Sequence, residues 1–290
     1  MSQRSSRRDS TETLGAFVLA RWHWLSGAVP PNHGRGPEEL TRKAVVIRLL
    51  SRGLPVASGL LLVGCAMAYS PELPTAPIST WSNSASTAVR ALDDLPVKGR
   101  APKTGYSRDQ FGQAWTDDVT VDGGHNGCLT REDILRRSMI ETVIKQSSGG
   151  CVVLSGRLTD PYTGREIQFV RGPESGAVQV DHVVALGDSW QKGAQQLTAE
   201  ERTAMANDPL ELLAVDGATN SAKGDADAAS WLPPNKGFRC TYVARQIAVK
   251  TKYRLWVTAS EKDAMAGVLA TCPGQELPTK ADVEVPTPVR

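Results

Sequence analysis

An Asp-His pair inside an apolar run is the feature that most constrains the fold of this chain. The segment Val180-Asp181-His182-Val183-Val184 places two polar side chains among β-branched residues. Such an arrangement costs free energy unless both polar groups find partners. On a strand, Asp181 and His182 point to opposite faces, but a bend there brings Asp181 to a metal and leaves His182 free to accept a proton from water. The alternative is a structural hydrogen-bonded pair.

A second polar motif, Asn220-Ser-Ala-Lys223, follows at the start of a predicted helix. Asn220 offers a neutral oxygen ligand, and one Asp, one Asn and several waters suit Mg²⁺, which keeps much of its hydration. Lys223, one turn further on, would supply positive charge to a phosphate beside a helix N-terminus. The alternatives are a plain helix cap for Asn220 and a solvated charge for Lys223.

The local patterns around these motifs mix helical and extended segments. Thr130 and Thr198 are each followed three positions later by an acidic residue, which resembles a capping box. Thr219 or Asn220 is expected to cap a further helix. Helices are predicted over 130–146, 198–207, 242–258 and 260–271, and strands over 151–155, 166–170, 178–186 and 210–215. The fold class is therefore expected to be α+β.

The first quarter of the chain is typical of an export signal. Two Arg residues precede an apolar run over 54–63, which is too short to span a bilayer well. The run ends in Leu62-Val-Gly-Cys65, which resembles the lipobox of bacterial lipoproteins, and Ala66-Met-Ala fits ordinary signal cleavage. We therefore predict a signal region over 45–68, after an N-terminal extension or misassigned start over 1–44. The product is secreted or is a cell-surface lipoprotein that touches the membrane only through Cys65; the alternative is a buried core helix.

The remaining cysteines agree with export, because Cys128, Cys151, Cys240 and Cys272 form an even set. Four cysteines allow three pairings. Local closure favours Cys128–Cys151 and Cys240–Cys272. A zinc site is the alternative, but there is no CxxC pair and only two histidines follow residue 100.

Composition divides the chain into unlike parts. Residues 1–52 hold nine Lys and Arg residues against four Asp and Glu residues, whereas the rest holds 24 against 27, a formal charge of −3. This balance excludes a polybasic nucleic-acid coat, so any such contact is local, for example a basic cleft of Lys192, Lys223 and Lys236. We predict a Pro/Ser/Thr/Ala-rich linker over 69–102, one folded domain over 103–275 and a flexible tail over 276–290.

Asp181-His182-x-x-x-Leu, an apolar strand and then Asn220-x-x-Lys together resemble the HNH, or His-Me finger (ββα-metal), endonucleases. The likeness is closer to exported bacterial HNH proteins, whose domain is similar to the C-terminal nuclease domain of the GmrSD restriction enzymes. It extends over 106–272 and includes four flanking blocks: Asp160-Pro-Tyr-Thr-Gly, Trp190-Gln-Lys-Gly-Ala, Trp231-Leu-Pro-Pro-Asn-Lys and Tyr242-Val-Ala-Arg-Gln. It implies a disulfide-stabilised ββα-metal core, with a hairpin of 178–186 and 210–215, a helix over 220–231, and flanking helices and strands.

The resemblance also implies residue roles. His182 would be the general base, Asp181 and Asn220 would hold one Mg²⁺ or Mn²⁺ ion, and Lys223 would steady the phosphate. The middle Asn of the family, which orients the loop that bears the His, falls on Glu211 here. Either Glu211 makes that hydrogen bond, or Asn207 does, or activity is impaired.

The expected function is an exported, metal-dependent endonuclease that hydrolyses phosphodiester bonds in DNA, with RNA as the other substrate. A second hypothesis is a cell-surface binding or scaffold protein on a degenerate HNH fold, which the departure at Glu211 keeps open. A third is a toxin that requires an immunity protein as its partner.

Overall fold

The computed structural model describes residues 86–288. The predictions for the extension over 1–44, the signal region over 45–68, Cys65 and the first part of the linker lie outside the described residues. Between residues 86 and 288, no helix has the length and apolar character needed to cross a bilayer.

Seven helices and five strands make up the described part of the chain, together with short 3₁₀ turns. They are α1 (Thr87–Asp94), α2 (Thr130–Ser138), β1 (Met139–Ile144), β2 (Val153–Thr159), β3 (Glu166–Val170), β4 (Val178–His182), α3 (Leu186–Gln191), α4 (Ala199–Ala206), β5 (Leu212–Asp216), α5 (Gly217–Lys223), α6 (Arg239–Lys252) and α7 (Ala259–Leu269). The α+β class predicted from the sequence is confirmed.

The strands form two antiparallel sheets. The larger has the order β1-β2-β3, and the smaller is the pair β4-β5, in which Asp181 lies opposite Leu213 and His182 opposite Leu212. Helix α5 begins directly after β5. In the chain, α3 and α4 lie between the two strands, and the antiparallel pairing brings β4, with the Asp-His motif, beside β5, which α5 follows with the Asn-x-x-Lys motif.

The hairpin β4-β5 separates two hydrophobic clusters. Val180 and Ala214 belong to a cluster with α2 and the three-stranded sheet, whereas Leu213 and Val215 belong to a larger cluster built mainly from α1, α3, α6 and α7. Because alternate side chains enter opposite clusters, both faces of the hairpin are buried. This double burial explains the nearly continuous apolar run around Asp181 and His182.

The helix predicted over 130–146 was wrong in its second half, because α2 ends at Ser138 and β1 follows. Residues 140–144 are rich in β-branched side chains, which favour the strand pairing with β2. Glu141 has a φ of 54° at an irregularity in that pairing. Thr130 forms no cap: its hydroxyl donates to the carbonyl of Thr116, and the N-cap residue is Leu129.

The second capping box, Thr198 with Glu201, is confirmed at the start of α4. The helix predicted over 220–231 was wrong at both ends, because α5 runs from Gly217 to Lys223. Its N-cap is Asp216, whose carboxylate accepts the backbone N–H of Thr219. Gly224, with a φ of 52°, ends the helix. Asn220 therefore lies inside α5 and is not its cap.

Secondary structure and buried side chains are also present outside the predicted domain limits of 103 and 275. Part of the predicted linker forms α1, whose Ala88 and Leu92 are buried in the larger cluster. The predicted flexible tail also packs on the domain: Val283 is buried and its carbonyl accepts a hydrogen bond from Arg137. A short helix and a single apolar side chain leave little composition signal, which is why both segments resemble linkers in sequence.

The two disulfides favoured by local closure are confirmed. Cys128–Cys151 joins the loop before α2 to the start of the β2 region, and Cys240–Cys272 joins the first turn of α6 to the end of α7. They close segments with separations of 23 and 32 residues. Each disulfide therefore restrains the flank of one hydrophobic cluster.

Candidate active site

Three of the predicted site residues line one open cavity of about 460 Å³. Asp181 and His182 reach it from the end of β4, and Asn220 reaches it from the middle of α5. Arg108 and Trp115, from the segment before α2, line the same cavity. The hairpin and its following helix thus bring together side chains that lie about forty positions apart in the chain.

The imidazole of His182 is held in one tautomer by a backbone contact. Its Nε2 lies 2.9 Å from the carbonyl oxygen of Ala206. Because a carbonyl oxygen only accepts, Nε2 carries the proton and donates, and Nδ1 keeps a free lone pair. Burial lowers the pKa of His182 to about 4, against the opposing effect of the Ala206 hydrogen bond. The ring is therefore neutral at neutral pH and has an available basic nitrogen.

The backbone that carries His182 is held at four consecutive polar groups. The carbonyl of His182 accepts from Lys223 Nζ at 2.8 Å, and the N–H of Val183 donates to the carbonyl of Glu211 at 2.9 Å. The carbonyl of Val183 accepts from Gln246 Nε2 at 2.7 Å and also from the hydroxyl of Tyr242 at 3.2 Å. These hydrogen bonds hold the backbone of the turn after β4 in one conformation.

Glu211 provides the fourth contact, since its Oε2 accepts the N–H of Val184 at 3.2 Å. Asn207, the other residue considered for this task, donates its amide to the carbonyl of Thr203 instead. Glu211 is fully buried, and burial raises its pKa well above the usual value, which favours the neutral carboxyl. The middle position of the motif therefore does contact the loop that bears the histidine, with a Glu in place of an Asn.

Lys223 occupies a different place from the one that the resemblance implies. The residue is 2% exposed, and its ammonium lies 3.0 Å from Asp181 Oδ1 and also bonds the carbonyl of His182. It does not line the cavity. Lys192 is also fully buried, so the predicted basic cleft of Lys192, Lys223 and Lys236 is not formed.

The positive charges on the cavity wall come from arginines. Arg108 is exposed and makes no ion pair within residues 86–288. Arg131 lies 3.4 Å from Glu132, but two hydrogen bonds at 2.6 Å already hold that carboxylate to Arg171. Two guanidinium groups therefore lie on the cavity wall, that of Arg108 without an ion pair in the described residues and that of Arg131 in a long contact with Glu132.

Asp181 and Asn220 offer the oxygen atoms that a hard cation requires. Asp181 lines the cavity, and its carboxylate accepts from Lys223 at Oδ1 and from the Tyr162 hydroxyl at Oδ2. Burial raises the pKa of Asp181, and the Lys223 charge opposes this rise. Asn220 donates a hydrogen bond from Nδ2 to Gln179 Oε1 at 2.8 Å, so its amide oxygen Oδ1 takes no part in that bond.

These donors fit a metal that takes few ligands from the protein. No group of three or more His, Cys, Asp or Glu side chains suited to an ion occurs within residues 86–288. Mg²⁺ is commonly bound by one or two carboxylates, with water and substrate phosphate completing its coordination. One carboxylate and one amide oxygen beside an open cavity match that requirement.

Several residues that build the site were not assigned from sequence. Tyr162, which bonds Asp181, lies in the Asp160-Pro-Tyr-Thr-Gly block, and Tyr242 and Gln246 lie in the Tyr242-Val-Ala-Arg-Gln block. Both blocks are part of the resemblance to the family, but the sequence assigned no role to these three residues. Arg108 and Trp115 carry no motif, and only the fold places them on the cavity.

Comparisons with known proteins identify the family of this domain. The family described as GmrSD restriction endonucleases, C-terminal domain, matches residues 129–268. A protein of Arthroderma benhamiae, described as an uncharacterized secreted protein, is 39% identical over 201 residues, which cover 68% of this chain and 91% of the relative. No solved structure matches the chain. The chain therefore belongs to the family of the C-terminal domain of GmrSD restriction endonucleases.

Proposed function

We propose that this protein is an exported, metal-dependent endonuclease that hydrolyses phosphodiester bonds in DNA. The observation that carries the proposal is the environment of His182. Its Nε2 is committed to the carbonyl of Ala206, Nδ1 has no hydrogen-bond partner within residues 86–288, and the residue lines the cavity that Asp181 and Asn220 also line. Family membership supports the nuclease class, and a nuclease requires a nucleic acid as its substrate. RNA is the other substrate that the same chemistry admits.

In this proposal β4, β5 and α5 form a ββα-metal unit. His182 Nδ1 accepts the proton of the attacking water, a step that a neutral imidazole performs and a protonated one does not. Asp181 and Asn220 hold one Mg²⁺ or Mn²⁺ ion. When bound, that ion supplies positive charge at the phosphate and at the leaving oxygen.

Lys223 acts as a positioning residue here, because its ammonium joins the Asp181 carboxylate to the carbonyl of His182. The charge that meets the phosphate comes from Arg108 and Arg131, which line the same cavity. A guanidinium suits this task, since it binds phosphate oxygens with two parallel hydrogen bonds. The local placement of these arginines agrees with a domain whose overall charge is slightly negative.

Export is supported by two observations. The relative from Arthroderma benhamiae is described as secreted, and the domain holds two disulfides, which persist in oxidising compartments. Lipidation of Cys65 is the further proposal for how the product stays at the cell surface.

The alternative of a binding or scaffold protein on a degenerate HNH fold rested on Glu211. The contact between Glu211 and the backbone of Val184 favours the nuclease over this alternative, because Glu211 reaches the loop that bears the histidine. An immunity partner has no specific observation in its favour.

Plasmid cleavage tests the proposal. The purified, disulfide-intact chain is expected to nick plasmid DNA with Mg²⁺ or Mn²⁺ and to lose activity in EDTA. His182→Ala is expected to lower turnover by roughly 10²–10⁴-fold, the usual contribution of a general base. His125→Ala is the matched control, because His125 lies in an exposed loop outside the cavity. Cleavage that survives in His182→Ala, or a folded protein without cleavage of DNA or RNA in any metal, would contradict the proposal.

A further inference from the structure

We infer that Trp115 is a positioning residue that holds the imidazole plane of His182, so that Nδ1 faces the cavity. The inference rests on the proposed function for its catalytic consequence. Its structural part stands on contacts of Trp115, a residue that lies before the segment 129–268 matched by the family.

The two rings are stacked. Their centroids lie 5.6 Å apart and their planes differ by 17°. His182 already has one restraint, the hydrogen bond from Nε2 to Ala206, which sets the direction of that bond. A single hydrogen bond still permits the imidazole to tilt about its axis. The indole face removes that freedom, since a tilt of the imidazole would drive its edge into the indole.

The residue that stacks on His182, Trp115, also has an unusual backbone conformation. Its φ is 59°, in the left-handed region that bulky side chains rarely adopt. The surroundings enforce the conformation, because Thr130 donates its N–H to the carbonyl of Trp115 and its hydroxyl to the carbonyl of Thr116. Such strained residues persist where neighbouring contacts over-determine them, and they concentrate at functional sites.

Trp115 also has a packing role that the test must separate from positioning. Its side chain is half-buried and touches the cluster around α2 and the three-stranded sheet. A bulk effect alone would follow from removing any large buried indole. Trp256 is a matched control, because it is buried, donates its Nε1 to the carbonyl of Gly99 and lies away from the cavity.

The first measurement is independent of nuclease activity. Long-range ¹H–¹⁵N NMR spectra of the full, metal-free chain report the tautomer of each histidine. The wild type and Trp256→Leu are expected to show His182 only as the Nε2–H tautomer. Trp115→Leu is expected to show both tautomers in exchange, because a free ring leaves the Ala206 hydrogen bond part of the time. Trp115→Phe is expected to restore the single tautomer, since a phenyl face also stacks.

The second measurement is plasmid cleavage by the same variants. Misplacement of a reacting group by about 1 Å costs on the order of 10²-fold in rate. We therefore expect Trp115→Leu to lose on the order of 10²-fold in kcat with KM nearly unchanged, and Trp115→Phe to recover most of that loss. Trp256→Leu is expected to keep wild-type kcat.

The two measurements separate the inference from the proposed function. Cleavage that is equal in wild type and Trp115→Leu overturns the inference and leaves the nuclease proposal intact. Absence of cleavage in the wild type refutes the nuclease proposal, and the NMR spectra then decide the positioning role. A single Nε2–H tautomer in Trp115→Leu overturns that role in every case, even if the variant is otherwise well folded.

Discussion

The buried charge cluster around Lys192 makes the strongest stability prediction for this fold. Lys192 is fully buried and lies 2.9 Å from Asp188, 2.8 Å from Asp227 and 2.6 Å from Glu261. Lys250 and Arg100 complete a set of three cations and three carboxylates. Burial alone lowers the pKa of Lys192, but the carboxylates of Asp188 and Glu261 outweigh it and the pKa is raised. Its stabilising charge is therefore present throughout the neutral range and is lost only as pH rises past that raised pKa.

Lys192→Met preserves most of the side-chain volume and leaves the cluster with one uncompensated buried carboxylate. Removing one partner of a buried ion pair costs about 3–5 kcal/mol, because the remaining charge stays desolvated. With an m-value of about 2–3 kcal/mol/M, the urea midpoint should fall by about 1–2 M at pH 7.

Two further variants make the reasoning testable by urea unfolding with both disulfides intact. Lys192→Met/Glu261→Gln restores the charge balance and keeps the cap at Thr258, since Gln also serves in a capping box. The double variant should therefore be more stable than Lys192→Met. Lys103→Met breaks an exposed pair with Asp225 and should cost less than about 1 kcal/mol. A cost below about 1 kcal/mol for Lys192→Met, or a double variant that is no more stable, would refute the reasoning.

Two other predictions concern buried or covalent features of the fold. Because burial raises the pKa of Glu211, its neutral form stabilises the fold at low pH, and this contribution is lost as pH rises. In thermal unfolding, Glu211→Gln should therefore gain stability relative to wild type between pH 5 and pH 8. An unchanged difference between the two proteins would argue against the raised pKa. Replacing both Cys240 and Cys272 with Ala should lower the free energy of unfolding in urea by about 3–4 kcal/mol, because the disulfide constrains a segment of 32 residues in the unfolded chain. A loss below about 1 kcal/mol would contradict that loop-closure argument.

Several elements of the fold are indicated by the sequence itself. The Thr198–Glu201 box starts α4, and the apolar runs around Asp181 and Leu213 form the β4-β5 pair. Cysteine number and spacing favoured both disulfides that the structure contains. The cap depends on four neighbouring residues, whereas the strands were indicated by their apolar pattern and the disulfides, with separations of 23 and 32 residues, by cysteine number and spacing.

The tertiary structure decided the features that depend on a distant partner. Residues 139–144 form β1 because β2 offers a pairing edge, a competition that the helical pattern before them does not reveal. The composition of residues 86–102 resembles a linker, yet α1 forms there because Ala88 and Leu92 enter the larger cluster. A short helix is marginal in isolation and is stabilised chiefly by its packing.

The site shows the same division between sequence and fold. The resemblance of the sequence to the HNH endonucleases predicted that Asp181, His182 and Asn220 lie together, and all three line one cavity. Only the tertiary structure shows that the Lys223 side chain points inward to Asp181 and that Glu211 contacts the backbone of Val184. The same holds for Arg108 and Trp115, which line the cavity. The physical reason is burial: a polar group that loses water must bond whatever the surrounding elements present, and those elements come from distant parts of the chain.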